Sequence, residues 1–161
     1  MLSEALHHLD QFAEALTREL DAIENQARGH AEAFYEVTKA LIAAHGGGGF
    51  ARSNRAGVTV SIAREGNSLR MSWLRTTSLT GGRTYGHPRY ERLRQRGAGG
   101  VSEATLSRYT AEWHLPAVLQ VERELAPLRQ QAAAVGKVFM RVGRLRADLA
   151  RLASSQPSTV D

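Results

Sequence analysis

Apolar residues in the first 45 positions recur at alternating steps of three and four residues. The series consists of Leu6, Leu9, Ala13, Leu16, Leu20, Ile23, Ala27, His30, Phe34, Val37 and Leu41, in which His30 is the single polar member. This is the heptad spacing of a helix that packs along a partner helix. Ser3 is a suitable N-cap, and the four glycines at 46–49 end the helical pattern because glycine continues a helix only at a cost. The pattern predicts one long helix from Ser3 to His45.

A second heptad series occupies the C-terminal third of the chain. Its members are Val118, Val121, Leu125, Leu128, Ala132, Val135, Phe139, Val142 and Leu149. Pro116 suits the first turn of this second long helix, and Pro127 predicts a kink within it. A shorter helix is expected before it, from Ser102 through Trp113.

Between the two heptad series the pattern changes to strict alternation. Apolar residues stand at Val58, Val60 and Ile62 and again at Leu69, Met71 and Trp73. We therefore expect two strands, Val58–Arg64 and Leu69–Arg75, which form a β-hairpin. A two-residue turn at Gly66 and Asn67 would pair Ile62 with Met71 and place all the apolar side chains on one face.

These elements predict a single domain of mainly α structure with a small β element, an α+β fold. Two long antiparallel helices flank the hairpin and a short basic helix, which would begin at Pro88 and end before Gly97. Along the chain the predicted parts are the N-terminal helix (1–45), a Gly-rich linker (46–57), the hairpin and basic segment (58–100), the C-terminal helices (101–153) and a polar tail (154–161).

Charge is distributed unevenly along the 161 residues, whose formal net charge is +5. Residues 1–45 carry a net charge of −5, residues 46–100 carry +8 and residues 101–161 carry +2. The segment RTYGHPRYERLRQR, residues 83–96, holds five arginines, two tyrosines and a histidine against one acid, Glu91. Arginine binds phosphate through a planar fork and stacks on rings, so this composition favours contact with nucleic acid.

The candidate nucleic-acid-binding residues are Arg64, Arg70, Arg75, Arg83, Tyr85, His87, Arg89, Tyr90, Arg92, Arg94 and Arg96. In this interpretation the arginines contact phosphates while the aromatic rings stack on bases. The sequence leaves open whether the partner is DNA or RNA, in single or double strands. An alternative interpretation is a protein adaptor, whose basic patch docks on the acidic helix of a second copy or of another protein. Apolar surface left on the heptad helices favours a homodimer in either case.

The sequence offers little for catalysis or metal binding. It contains no cysteine, no H-E-x-x-H or G-x-S-x-G motif and no phosphate-binding G-x-x-x-x-G-K-[ST] loop. We therefore expect a non-enzymatic protein without a metal or other cofactor. The N-terminus lacks the charge and apolar pattern of a signal peptide, and no apolar run is long enough to cross a membrane, so a cytoplasmic location is expected.

The order of these features resembles the MobI-type conjugative mobilisation proteins. The resemblance consists of a long N-terminal helix, the strand LRMSWLR, the basic segment YGHPRYERLRQR and a long C-terminal helix. It implies an accessory factor that acts at a conjugative transfer origin and helps a relaxase to engage the DNA. The positions in the matching segments are Trp73, Arg75, Tyr90 and Arg92.

Overall fold

The computed structural model describes residues 2–45, 57–77 and 89–155. Within them the elements are α1 (Leu2–His45), β1 (Val58–Glu65), β2 (Ser68–Thr77), β3 (Arg89–Arg92), α2 (Glu103–Tyr109) and α3 (Leu115–Ser155). The predicted fold class, mainly helical with a small antiparallel sheet, is confirmed. None of these described helices has an apolar stretch that could cross a membrane. The predicted linker, apart from Gly57, and most of the predicted tail lie outside the described residues.

The two long helices run antiparallel and pack against each other. Near one end of the pair, Arg146 of α3 forms an ion pair with Asp10 of α1 at 3.2 Å. Near the other end, the imidazole of His114 lies 2.9 Å from the hydroxyl of Thr38. The C-terminal half of α1 therefore lies beside the N-terminal end of α3, and the N-terminal half of α1 lies beside the C-terminal half of α3. The helices use their apolar seams on each other, as the heptad pattern predicts for partner helices.

The seam of α1 follows the heptad pattern as far as Phe34, except that Ala31 rather than His30 is buried. Its buried residues are Leu20, Ile23, Ala27, Ala31 and Phe34. The prediction that Val37 lies on the seam is wrong, since its side chain is 47% exposed. An α-helix has about 3.6 residues per turn, so a strict seven-residue repeat drifts around it and the buried face moves from position 30 to position 31. The helix begins at Leu2, which places Ser3 inside the first turn rather than at the N-cap.

The hairpin has the predicted register. Strands β1 and β2 pair antiparallel around the turn at Gly66 and Asn67, with Val60 opposite Trp73 and Ile62 opposite Met71. Trp73 is fully buried, and its ring meets that of Phe34 from α1 edge to face, with 5.4 Å between the centroids. One face of the sheet thus packs on the helical pair, which gives a two-layer domain.

The predicted basic helix over 88–96 is wrong, because Arg89–Arg92 forms strand β3 at the edge of β2. The chain continues along β2 beyond this strand. The amide of Leu93 donates to the carbonyl of Trp73 at 2.8 Å, and the side chain of Gln95 donates to the carbonyl of Met71 at 2.6 Å. A helix of so few residues is marginal in water, whereas the edge of β2 supplies backbone partners for an extended chain.

The connection to α3 contains the short helix α2. Ser102 is its N-cap, as predicted, and accepts a hydrogen bond from the amide of Thr105. The helix ends at Tyr109, four residues before the predicted end at Trp113. Helix α3 then begins at Leu115 and continues as one helix through Pro127.

Candidate nucleic-acid interface

Arg64 contacts α1 rather than facing outward. It lies on the helix-facing side of β1, where its guanidinium is 3.0 Å from the carboxylate of Asp21 and 3.4 Å from that of Glu24. The side chain is 20% exposed. These contacts join the basic hairpin to the acidic N-terminal helix of the same molecule. The adaptor interpretation had placed such a contact between opposite charges on two different molecules.

Two further candidates also have acidic partners. Arg70 forms a bidentate pair with Glu65, with both distances at 3.1 Å. Arg75 pairs with Glu91 across the β2–β3 ladder, and its guanidinium lies over the ring of Tyr109 at 4.9 Å from the centroid. The hydrogen bond with Glu91 raises the pKa of Arg75. Each of these arginines would have to leave or share a carboxylate to bind a phosphate.

Arg92, Arg94 and Arg96 differ from the paired arginines. All three are exposed, and none of their side chains forms an ion pair or hydrogen bond with any residue that the structure describes. They alternate with Leu93, which is buried, and with Gln95, which bonds to β2. The alternation places the three arginines on the outward side of an extended chain. We call these three residues the arginine track.

Tyr90 continues the same alternation one step before the arginine track. Its side chain is 55% exposed, and its backbone pairs with Thr76 of β2. An aromatic ring beside a line of arginines is the combination that single-stranded nucleic acid binds through stacking and phosphate contacts. Of the other candidates, Arg83, Tyr85 and His87 lie outside the described residues, and Arg89 is described by its backbone alone.

A buried polar network fixes the chain segment that follows the track. One carboxylate oxygen of Glu122, on α3, accepts the indole N–H of Trp73 at 2.6 Å, and the other accepts the amide of Val101 at 3.0 Å. Arg129 binds both oxygens of the same carboxylate, at 2.9 and 2.6 Å, and also donates to the carbonyl of Met71 at 3.1 Å. The network therefore connects α3 to β2 and to the end of the basic segment.

Gly100 makes this connection sterically possible. Its φ angle is 81°, a conformation that other residues adopt at a cost. A Cβ atom at this position would lie 2.0 Å from the carboxylate of Glu122 and 2.4 Å from the guanidinium of Arg129. The carbonyl of Gly100 accepts the amide of Arg96 at 3.0 Å, so the last arginine of the track is held by a closed turn.

The structure also reveals basic residues that the sequence reasoning did not select. Lys137, Arg141 and Arg144 stand at spacings of four and three on α3, are exposed, and form no ion pair with any described residue. Residues so spaced share one side of a helix. The spacing of these three residues in the sequence could have indicated a basic helix face. It was overlooked because the net charge of this third of the chain is only moderate. We call these three residues the α3 stripe.

Outside this surface, one buried titratable group has a perturbed pKa. His114 is fully buried against Phe34, with its rings stacked at 5.3 Å, and burial lowers the pKa of its imidazole. Its Nδ1 atom has no hydrogen-bond partner within the part of the chain that the structure describes. The residue lies at the junction of α1 and α3, away from the arginine track.

The fold and this surface define a small, mainly helical protein in which strand β3 and the chain after it present arginines that have no ion-pair partner among the described residues. The MobI protein family model matches residues 23–143, about three quarters of the chain, so the chain belongs to the MobI family. The resemblance drawn from the sequence is confirmed, and membership indicates a role in conjugative mobilisation. Comparisons with curated proteins and with solved structures found no match.

Proposed function

We propose that this protein is a non-enzymatic accessory of conjugative mobilisation that binds DNA at a transfer origin through the arginine track. The observation that supports the proposal is the exposure of Arg92, Arg94 and Arg96 without a carboxylate partner among the described residues. A cation without a partner binds a phosphate without first losing an ion pair, whereas Arg64, for example, would have to leave α1.

The geometry of the track suits a backbone contact. Successive arginines two residues apart in an extended chain are separated by roughly 6.5 Å, so they follow a line rather than a point. Tyr90 at one end of that line adds a ring for stacking. Phosphate contacts of this kind give affinity and orientation without reading the sequence, which is what an accessory to a sequence-recognising or DNA-cleaving partner requires.

The α3 stripe extends the proposed surface. Gln95 and Gly97, which flank the last arginine of the track, line the same groove as Lys137, the first residue of the stripe. A strand that follows the track therefore reaches α3 at this point. We propose that a relaxase is the protein partner at the origin, and that the chain presents the DNA to it rather than cutting the DNA.

The proposal is tested by titrating the protein with a labelled duplex of random sequence and following fluorescence anisotropy. The test variant carries Arg92→Ala, Arg94→Ala and Arg96→Ala. The matched control removes three exposed arginines elsewhere, at positions 18, 108 and 123. Both variants lose three positive charges, so a change of net charge alone would weaken both equally.

We expect the track variant to lose roughly a hundredfold or more in affinity and the control to lose much less, because the track contacts the phosphates and the three control positions do not. Equal losses of affinity in the two variants would show that net charge alone determines binding, and would contradict the proposed site. Parallel titrations with single-stranded DNA and with RNA determine the preferred nucleic acid.

A second candidate function, a self-associating scaffold or adaptor, is favoured by a different observation. Phe12, Leu145 and Leu152 are 49%, 50% and 58% exposed at the end of the helical pair that extends away from the sheet. Large apolar side chains in one region of a surface often mark a protein interface. Binding of a second copy there would give a homodimer, whose mass by light scattering is twice 17.6 kDa.

A further inference from the structure

A groove of about 520 Å³ opens where the arginine track ends. It lies between the tip of the hairpin, the turn at 95–98 and one face of α3. Its apolar lining comes from Leu69, Met71, Ala98, Ala133, Phe139 and Met140. The volume falls within the range of sites that bind small molecules, roughly 300–1,000 Å³.

Several charged residues border this apolar lining. Lys137 stands on the α3 side, whereas Arg70 on the hairpin side is paired with Glu65, which also lines the groove. Arg96 lies between Gln95 and Gly97, both of which line the groove. Arg129 also reaches the lining, but its charge is neutralised by Glu122. The cations that form no ion pair with a described residue are therefore Lys137 on the α3 rim and Arg96 at one end of the groove.

We propose that this groove receives an unpaired nucleobase of a single strand whose flanking phosphates bind Arg96 and Lys137. This inference rests on the proposed function, since it names the form of nucleic acid that the basic surface accepts. A nucleobase has apolar faces that suit the ring of Phe139 and the thioether of Met140. Its neighbouring phosphates are anions that suit the guanidinium of Arg96 and the ammonium of Lys137.

The polar end of the groove adds to the fit. Asn67 and Ser68 lie at the hairpin turn and line the groove there. Their side chains can donate and accept hydrogen bonds to the edge of a base. A base within a duplex is stacked and paired, so only a single-stranded or locally opened site fills the groove. Such DNA occurs at a transfer origin once its strands separate.

The test compares two single-stranded oligonucleotides of equal length and charge, one with bases and one in which every sugar is abasic. Phosphate contacts are the same in both, so a difference in affinity reports contacts with the bases. We expect the wild-type chain to bind the normal oligonucleotide on the order of tenfold more tightly, since stacking of one base contributes an effect of this size.

Two adjacent alanines on α3 provide a matched pair of variants. Ala133 lines the groove, whereas Ala134 does not, and both are exposed. We expect Ala133→Leu to fill the groove and remove most of the preference for the normal oligonucleotide, while Ala134→Leu keeps it. Met140→Ala, which truncates a side chain that is 60% exposed, should reduce the preference without affecting folding.

The outcomes separate the inference from the proposed function. If the wild-type chain binds both oligonucleotides equally and still binds duplex through the track, the groove does not bind a base and the inference is overturned. The groove would then suit a segment of a protein partner. A preference that Ala133→Leu does not change places the base contact elsewhere, on Tyr90 for example, and also overturns the inference. Absence of binding to every nucleic acid refutes the proposed function itself.

Discussion

The buried carboxylate of Glu122 gives the sharpest prediction about stability. Its side chain is 12% exposed, and that of Arg129 is 5% exposed. Glu122→Gln keeps the size of the side chain but removes its charge, which leaves the guanidinium buried without a counter-ion. It also sets an amide N–H₂ group against donors from Trp73 or Val101.

The expected loss is large. Breaking a buried ion pair by removing one partner costs about 3–5 kcal/mol, because the remaining charge stays buried. Domains are typically stable by about 5–15 kcal/mol, so the variant should lose about a fifth or more of its stability. The measurement is urea unfolding followed by circular dichroism, with the change read from the midpoint at constant slope.

Two further variants make the test specific. Glu36→Gln breaks the ion pair between Glu36 and Lys39, whose side chains are 72% and 71% exposed respectively. This change should lower the free energy of unfolding by less than about 1 kcal/mol. The double variant Glu122→Leu with Arg129→Met removes both buried charges and should be at least as stable as Glu122→Gln. A cost for Glu122→Gln no larger than that for Glu36→Gln would refute the claim that the network holds α3 to the basic segment.

Three other predictions follow from particular contacts. A Cβ at Gly57 would lie 1.9 Å from the carbonyl oxygen of Tyr109, so Gly57→Ala should lower the free energy of unfolding by about 1–3 kcal/mol, measured by urea unfolding. Gly29 has open space around it, so Gly29→Ala should raise the free energy of unfolding. Because burial lowers the pKa of His114 below its ordinary 6.5, the unfolded chain binds a proton that the folded chain excludes; stability should therefore fall as pH drops below about 6.5, and His114→Phe should remove this pH dependence. If the chain self-associates, Leu145→Lys should return it to the monomer mass in light scattering.

Patterns with one dominant period predicted much of the fold. The seam of α1 and α3 and the register of Val60 with Trp73 followed from apolar spacing, because burial of one face selects between periods of 3.6 and 2. Residues 89–96 carry almost no such signal, since Leu93 is the only buried apolar residue among the side chains described there. Proline before this segment and glycine after it favoured a helix, but the available edge of β2 determined the structure.

That error changed the predicted site more than it changed the fold. On a helix, residues 89, 92 and 96 would share a face, whereas in the extended chain Arg92, Arg94 and Arg96 do. Charge counting also could not separate paired from unpaired arginines. The carboxylates that bind Arg64 come from α1, about 40 residues earlier in the chain, and only the tertiary structure brings them together.

The network around Glu122 had no local signal either. Its carboxylate, the indole of Trp73 and the amide of Val101 come from three separate parts of the chain. Trp73 was correctly placed on the apolar face, but its N–H group needs an acceptor within that face. Such an acceptor is a buried acid on α3, at a position that a helical pattern alone marks as polar and exposed.

The salt dependence of duplex binding tests the central claim most directly. Each phosphate neutralised on a duplex contributes a slope of roughly −0.9 to a plot of log affinity against log salt. Replacing Arg92, Arg94 and Arg96 by alanine should flatten that slope by roughly two to three units, while the control variant at positions 18, 108 and 123 keeps the wild-type slope. An unchanged slope in a folded track variant would show that these arginines do not contact phosphate, and would contradict the account.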